Sequence, residues 1–284
     1  MQVIHEPAAL QTLCLGWRRQ GLTIALVPTM GYYHAGHASL IKYARSVADK
    51  VVVSLFVNPA QFGPNEDLEA YPRDFKRDSA LVRELGGDLL YAPAPDQMYE
   101  ADHATWVEVP ELANTLCGVT RPIHFRGVCT VVLKLFMLTQ AQIGVFGEKD
   151  WQQLAILKRM VRDLNVPIKL VGQPIVREAD GLALSSRNVY LTPEERAQAP
   201  QIHKSLIAAA ESVASGEHDA AHVIDGIRAY LKQHLPCGEE DYISIVHPER
   251  LTPLVNITDT ALCAVAIRVG KARLIDNILL KAQH

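Results

Sequence analysis

Two histidines three positions apart follow an apolar run near the start of the chain, and their setting suggests phosphate chemistry. The run of residues 23–27, TIALV, is typical of a buried parallel strand, and residues 28–37, PTMGYYHAGH, separate it from a helix expected to begin near Ala38. At such a turn the unpaired N–H groups and the helix dipole favour an anion, and Gly36 lets a ligand approach the backbone. His34 and His37 could then donate hydrogen bonds to the phosphates of a nucleotide and stabilise the charge that builds as pyrophosphate leaves. This is the chemistry of nucleotidyl transfer.

The spacing of the two histidines also fits a metal pair or a chance pattern. A His-x-x-His pair suits a metal ion, but no nearby cysteine or carboxylate completes the three-ligand set of a catalytic zinc site. Because the chain has eleven histidines, the pattern can also arise by chance in a loop. The choice between phosphate binding, metal binding and chance depends on other segments of the chain.

Two further segments carry groups that suit a triphosphate. Lys149 follows the apolar run of residues 142–146, where its ammonium group could reach a phosphate, although a solvated charge cluster is the simpler interpretation. Residues 181–188, GLALSSRN, place two hydroxyl groups and a guanidinium after an apolar triplet. They could clamp a triphosphate from a second domain, or they could form a polar linker between domains.

Gln61 and Gln153 suit a substrate carboxylate that must itself attack phosphorus. An arginine would stabilise the ground-state charge of that carboxylate and weaken it as a nucleophile, whereas an amide can orient it with less penalty. Taken singly, each glutamine is more typical of a surface residue.

The strand-like runs alternate with amphipathic stretches, which predicts a Rossmann-like α/β domain with a parallel sheet. The runs are residues 23–27, 51–57, 88–91 and 142–146, and the clearest amphipathic stretches are residues 74–85 and 151–164. Ligands bind beyond the carboxyl ends of such strands. The histidine turn and residues 57–63 and 146–150 all follow strands, so we expect them to meet at one edge of the sheet.

The alternation of strand-like and helical stretches ends near residue 175, which predicts a second domain. Thr192, Pro193 and Glu195 form a helix-start pattern with a capping box, and helical sequence continues to about residue 235. Strand-like runs follow at residues 241–246 and 261–269. We therefore expect a Rossmann-like domain of residues 1–175 and a smaller α+β domain of residues 176–284.

The composition excludes several classes of protein. With 284 residues, 49% of them hydrophobic and 21% charged, the chain is expected to be globular and water-soluble. A net charge of −3 disfavours nucleic-acid binding through a broad basic surface. No leader or membrane span is expected, which favours the cytoplasm. Five scattered cysteines without a C-x-x-C pair are expected to be reduced structural thiols.

Taken together, these segments resemble the pantoate–β-alanine ligase (pantothenate synthetase) family of the H-x-G-H nucleotidyltransferase-like superfamily. The resemblance covers nearly the whole chain. It rests on PTMG at 28–31 with HAGH at 34–37, VNPAQF at 57–62, YPR at 71–73, HFRGV at 124–128, FGEKD at 146–150, QQ at 152–153, VREADGLALSSRN at 176–188 and RLIDN at 273–277.

The resemblance implies a two-step reaction with ATP, pantoate and β-alanine as substrates. ATP and pantoate would give pantoyl adenylate and pyrophosphate, and β-alanine would then attack the adenylate to give pantothenate and AMP. Mg²⁺ would accompany ATP, the smaller domain would cover the site as a lid, and the protein would be a cytoplasmic homodimer. The sequence assigns neither the Mg²⁺ ligands nor the group that takes the proton from β-alanine.

The resemblance also implies which residues act. His34, His37, Lys149 and Arg187 would be catalytic, with His37 as the proton donor. The nucleotide would be bound by Met30, Gly31, His34, Gly36, His37, Gly147, Glu148, Lys149, Asp150, Val176, Leu184, Ser185, Ser186 and Arg187. The acid substrates would be bound by Gln61 and Gln153, with Asn58 and Arg126 as neighbours.

Two other functions remain open from the sequence. A nucleotidyltransferase acting on a phosphorylated small molecule shares the H-x-G-H turn and would make a dinucleotide-like product. A nucleotide-sensing protein without catalysis would bind ATP yet release no pyrophosphate.

Tyr33 is bulky and stands where the family more often has leucine. From the sequence, Tyr33→Leu is therefore expected to alter substrate binding more than chemistry.

Overall fold

The computed structural model describes residues 1–64 and 66–282, which pack as two compact units. The described residues of Met1–Asn114, Gly118–Glu148 and Ile156–Pro174 form the first unit. Those of Thr115–Cys117, Lys149–Ala155 and Ile175–His284 form the second. The domain boundary between residues 175 and 176 expected from the sequence stays a prediction.

The first unit is an α/β layer structure. Its strands are β1 (Gln2–Ile4), β2 (Ile24–Thr29), β3 (Lys50–Leu55), β4 (Leu89–Tyr91), β5 (Ile143–Gly147) and β6 (Lys169–Gln173). Its helices are α1 (Pro7–Arg19), α2 (Ala35–Val47), α3 (Phe75–Glu84), α4 (Pro95–Met98), α5 (Pro110–Ala113), α6 (Cys117–Thr120), α7 (His124–Thr139) and α8 (Trp151–Asp163), of which α6 and α8 each have residues in both units.

The six strands form one parallel sheet in the order β1-β4-β3-β2-β5-β6, which confirms the predicted fold class. The central strands β2 and β3 each bury four consecutive residues, as expected where helices cover both faces of a parallel sheet. Since β3, β2 and β5 are neighbours and run in the same direction, the segments that follow them leave the sheet at the same edge. The sequence predicted this arrangement.

The structure adds two strands to this parallel sheet that the sequence pattern did not predict. Strand β1 has three residues and pairs with β4, and β6 is an edge strand that begins with Lys169 and ends with Gln173. Neither has the long apolar run of a strand buried on both faces, so a search for such runs passes over them.

The second unit packs helices on a three-stranded antiparallel sheet of order β7-β8-β9. The helices are α9 (Pro193–Gln198), α10 (Gln201–Ala214) and α11 (Ala220–His234), and the strands are β7 (Gly238–Val246), β8 (Thr260–Val269) and β9 (Ala272–Lys281). Thr192 caps α9 and Glu195 closes the capping box, as predicted. The core is built from apolar residues of α10, α11 and the three strands. Within the described residues, no helix combines the length and apolar character that crossing a membrane requires.

Candidate active site

The histidine turn is part of helix α2 rather than a loop before it. The helix begins at Ala35, three residues earlier than expected, with His34 as its N-cap. Nδ1 of His34 accepts a hydrogen bond from the backbone N–H of Gly36 at 3.1 Å, and Nδ1 of His37 lies 3.4 Å from the backbone N of His34. Serine, threonine, asparagine and aspartate are the usual N-caps, so the sequence rules placed the start too late.

The capping contacts determine which nitrogen of each imidazole can donate. Because a backbone N–H donates to Nδ1 in both rings, a neutral His34 or His37 carries its proton on Nε2. The two ring centroids lie 4.1 Å apart. In a neutral ring at either position the N–H group is thus on Nε2, at the positive end of the α2 dipole.

Asp78 of α3 holds the backbone that leads into this turn, a role that the sequence pattern did not predict. Its carboxylate accepts hydrogen bonds from the backbone N–H groups of Tyr32, at 2.6 Å, and Tyr33, at 2.8 Å. Gly31 has φ of 90°, and a Cβ there would lie 3.1 Å from Oδ2 of Asp78. Burial raises the pKa of Asp78, with the two N–H bonds opposing the shift. In the sequence, Asp78 stands four positions before Val82, on the face of the helix that is buried. An acidic residue at such a position indicates a hydrogen-bonding partner within the fold.

Tyr33 packs in the core of the first unit. Its hydroxyl is 2.9 Å from that of Thr29, and burial raises its pKa, so the phenol stays protonated. The ring centroid lies 5.3 Å from that of His37. Tyr33→Leu is therefore expected to loosen the packing beneath the histidine turn, and the expected effect on substrate binding stays a prediction.

Gln61 and Asn58 form one hydrogen-bonded unit after β3. The Nδ2 group of Asn58 donates to Oε1 of Gln61 and to the carbonyl of Gly127 on α7, both at 3.1 Å, and Tyr99 donates to Oδ1 of Asn58 at 2.9 Å. Nε2 of Gln61 lies 3.2 Å from the sulfur of Met30. These contacts fix the amide orientation, and Nε2 carries two hydrogens, so it can also donate to a substrate oxygen.

Two residues without a role predicted from the sequence, His124 and Arg121, hold the backbone at Gln61. Nδ1 of His124 lies 3.0 Å from the carbonyl oxygen of Gln61, and Nη2 of Arg121 donates to the same oxygen at 3.4 Å. Arg121 also forms a two-pronged ion pair with Glu66, with distances of 2.5–3.1 Å. In the sequence, Arg121 stands three positions before HFRGV, and His124 is the first residue of that motif. The motif entered the sequence analysis only as part of the family resemblance, so neither residue was given a role.

The ion pair between Glu66 and Arg121 makes the free energy of unfolding depend on pH in the acid range. Burial would raise the pKa of Glu66, but the hydrogen bonds and charge of Arg121 outweigh it and hold the pKa below its ordinary value of 4.5. A folded-state pKa below the unfolded value stabilises the fold above the unfolded pKa, and the contribution is lost as pH falls through the folded pKa.

We expect Glu66→Gln to lower the free energy of unfolding by about 1–2 kcal/mol at neutral pH. The difference from the wild type should shrink as pH falls below 4.5, which denaturant titrations at several pH values would measure. Glu84→Gln is the control, because Glu84 is an exposed residue at the end of α3. A difference that stays constant with pH would contradict the prediction.

The remaining predicted residues of the first unit lie in two places. Gly147 ends β5, where a Cβ would meet no atom within 4 Å, and Glu148 follows it. The guanidinium of Arg126 lies 4.8 Å from the centre of the Trp106 ring and 3.7 Å from Glu108. These contacts are with residues other than Asn58 and Gln61, and the assignment of Arg126 to substrate binding stays a prediction.

In the second unit, Lys149 lies in a short 3-10 turn that leads into α8. Its ammonium nitrogen is 3.7 Å from Oδ2 of Asp150, whose side chain is half exposed. Its carbonyl oxygen accepts a hydrogen bond from Nδ2 of Asn277 at 3.0 Å. Gln153 is half-buried, whereas its neighbour Gln152 is buried and bonds to the backbone of Thr115 and Cys117.

The segment that carries Ser185, Ser186 and Arg187 is an ordered turn. The N–H of Leu184 donates to the carbonyl of Val176 at 3.0 Å, and Ser185 caps a 3-10 helix by accepting from the backbone N of Arg187 at 3.2 Å. Ser186 is buried and Arg187 is half-buried. The guanidinium and hydroxyl groups thus lie on a fixed backbone, as a clamp for phosphate oxygens requires.

Each unit offers groups that suit one part of an ATP-dependent reaction. The first provides imidazole donors at a helix terminus and a fixed amide, and the second provides an ammonium, hydroxyl groups and a guanidinium. Within residues 1–64 and 66–282, no three His, Cys, Asp or Glu side chains are grouped as metal ligands.

Comparison with known proteins gives one consistent result. The family model described as pantoate-beta-alanine ligase matches residues 2–279. A pantothenate synthetase of Nitratidesulfovibrio vulgaris is 64% identical over 283 residues, covering 100% of both chains. One of Moorella thermoacetica is 48% identical and covers 99% of both.

Solved structures agree with these sequence matches. Pantothenate synthetase from Thermus thermophilus superposes with a TM-score of 0.91 at 46% identity, over 98% of this chain and 99% of that one. Pantoate-beta-alanine ligase from Francisella tularensis, complexed with beta-gamma ATP and beta-alanine, gives a TM-score of 0.80 at 33% identity, over 98% and 97%.

Proposed function

The chain belongs to the pantoate-beta-alanine ligase family, and we propose that it joins pantoate to β-alanine through a pantoyl adenylate formed from ATP. The observation that carries the mechanism is the capped histidine turn, in which Nδ1 of both rings faces a backbone N–H, so that a neutral ring carries its proton on Nε2. The Francisella relative, whose complex contains both beta-gamma ATP and beta-alanine, supports the same substrates.

In the first step, a carboxylate oxygen of pantoate attacks the α-phosphorus of ATP, and the bond to the bridging oxygen of pyrophosphate breaks. His34 and His37 donate from Nε2 to the triphosphate, with His37 donating to the oxygen that gains charge. Lys149 and Arg187 stabilise the developing negative charge, because fixed cations act most strongly on charge that grows in the transition state. The backbone at Met30, Gly31, Gly36, Gly147, Val176 and Leu184, with Ser185 and Ser186, lines the nucleotide.

Gln61 and Gln153 orient pantoate in that step, with Asn58 holding the amide of Gln61. A neutral amide fixes the carboxylate without removing its nucleophilicity. In the second step the amine of β-alanine attacks the acyl carbon, the bond to the AMP oxygen breaks, and the ammonium must first lose a proton.

We propose that Mg²⁺ enters with ATP. Mg²⁺ is commonly bound by substrate phosphates and one or two carboxylates, and Glu148 and Asp150 flank Lys149 in the segment assigned to the nucleotide. When bound, the ion would neutralise charge on the phosphate oxygens. Calorimetric titration of ATP with and without Mg²⁺ would test this, and equal affinity in both would contradict it.

We also propose a cytoplasmic homodimer, as the resemblance implies. Sedimentation equilibrium should give twice the mass of one chain, and a single-chain mass at micromolar concentration would contradict the dimer. Cell fractionation tests the location.

Product analysis separates this function from the alternatives. With pantoate, β-alanine and ATP, we expect pantothenate, AMP and pyrophosphate in equal amounts. A dinucleotide-like product from a phosphorylated substrate would instead indicate a nucleotidyltransferase. Binding of ATP with no product from any acid would indicate a nucleotide-sensing protein.

A further inference from the structure

Residues 273–277, RLIDN, have no part in the proposed chemical steps, yet two of them are buried and polar. They belong to β9, an edge strand of the second unit's sheet. Asp276 is 4% exposed and Asn277 is 7% exposed. A buried carboxylate or amide is costly unless it is hydrogen-bonded, so the partners of this pair indicate what it does.

Asn277 holds the backbone at Lys149. Its Nδ2 donates to the carbonyl oxygen of Lys149 at 3.0 Å, and its own backbone N–H donates to Oδ1 of Asp276 at 2.8 Å. The ammonium of Lys149 extends from the residue whose carbonyl is fixed. Loss of this hydrogen bond at Asn277 is therefore expected to shift the backbone of Lys149 and, with it, the position of the ammonium group.

Asp276 holds the segment that leads to Ser185. Its carboxylate accepts from Nη1 and Nη2 of Arg177 at 2.6 and 2.9 Å, a bidentate pair. Nη1 of Arg177 also donates to the carbonyl of Gly181 at 3.1 Å, and Arg177 pairs with Ala183 as an antiparallel bridge. Asp276 thus fixes Arg177, and Arg177 in turn holds Gly181 and Ala183. These contacts fix the two ends of the turn that precedes Ser185.

From adjacent positions of β9, Asp276 thus bonds to the segment before Ser185 and Asn277 bonds to the segment of Lys149. Lys149, Ser185 and Asp276 also line one small cavity. We propose that Asp276 and Asn277 are positioning residues that fix Lys149 relative to Ser185–Arg187. The inference rests on the proposed function for the roles of Lys149 and Arg187. Its consequence is preorganisation, because the charges need not move as the adenylyl group transfers.

The first test is Asn277→Ala. The kcat of pantoate-dependent pyrophosphate exchange should fall about tenfold while KM for ATP stays within about twofold, since the misplaced group acts mainly in the transition state. Asn256→Ala, an exposed asparagine of the same unit, is the control and should behave as wild type. An unchanged kcat in Asn277→Ala, or a rise in KM alone, would overturn the proposal.

Asn277→Asp provides a readout that loss of stability does not mimic. A carboxylate cannot donate to the carbonyl of Lys149, whereas a protonated carboxyl can. The rate of Asn277→Asp relative to wild type should therefore rise as pH falls from about 8 to about 6, because burial raises a carboxyl pKa. The same ratio for Asn277→Ala should stay flat. A flat ratio for both variants would count against the proposal.

Lys149→Ala distinguishes failure of the positioning proposal from failure of the proposed function. Wild-type exchange in Lys149→Ala would remove Lys149 from the mechanism and the proposal with it. A large loss in Lys149→Ala beside normal exchange in Asn277→Ala would overturn only the positioning proposal. If the proposed function and the positioning proposal both hold, adding Asn277→Ala to Lys149→Ala should lower the exchange rate little further. Both changes act through the ammonium group of Lys149.

Discussion

His37→Ala is expected to lower the rate of pantoyl adenylate formation about 10²- to 10³-fold, the usual effect of removing one donor to a developing charge. The loss should fall on kcat, because the Nε2–H of His37 acts on charge that grows as pyrophosphate leaves. Stability should change by no more than about 1 kcal/mol, since His37 is only half-buried and its contact with the backbone of His34 is long, at 3.4 Å. Single-turnover formation of the adenylate, measured as pyrophosphate released, gives the effect.

Two variants make the result on His37 specific. His222→Ala removes a histidine whose side chain is 71% exposed and should leave the rate unchanged. His37→Gln retains an N–H donor and should lie between the wild type and alanine. Wild-type turnover in His37→Ala would remove this residue from the mechanism.

Gly127→Ala is expected to destabilise the first unit by about 3 kcal/mol, near the upper end for overpacking. A Cβ at this position on α7 would clash with the carbonyl oxygen of Ala60 and would lie 2.6 Å from the backbone N of Gln61. Backbone atoms cannot yield as a flexible side chain can, so the Asn58–Gln61 turn must shift. Because Asn58 also donates to the carbonyl of Gly127, pantoate affinity should fall with stability.

The control for Gly127→Ala is Gly226→Ala. Gly226 lies within α11, and a Cβ there meets no atom within 4 Å. Alanine should stabilise that helix by about 0.5–1 kcal/mol, the difference in helix propensity. Denaturant unfolding and the KM for pantoate would be measured for both. A Gly127→Ala protein as stable as wild type, with unchanged KM, would contradict the packing described around Gln61.

The long apolar strands and the α9 capping box follow from local sequence. Strands β2 and β3 are buried along four consecutive residues each, and Thr192, Pro193 and Glu195 satisfy the helix terminus with neighbouring residues alone. Such features depend on residues close in the chain. They were therefore predictable without any knowledge of the fold.

The supports of the candidate site were not predictable in the same way. Asp78 bonds to the backbone of Tyr33 from 45 residues away, and Asn277 bonds to Lys149 from 128 residues away. Nothing in the neighbouring sequence of Asp78 or Asn277 specifies those partners, because the fold brings them together. The start of α2 was misplaced for a different reason, since His34 caps the helix through an imidazole nitrogen.

The most direct test of the central claim is pantoate-dependent exchange of labelled pyrophosphate into ATP, with Mg²⁺ and without β-alanine. Reversible formation of pantoyl adenylate predicts exchange that requires pantoate and is lost in His37→Ala. Absence of exchange with pantoate, while ATP still binds, would contradict the adenylate mechanism.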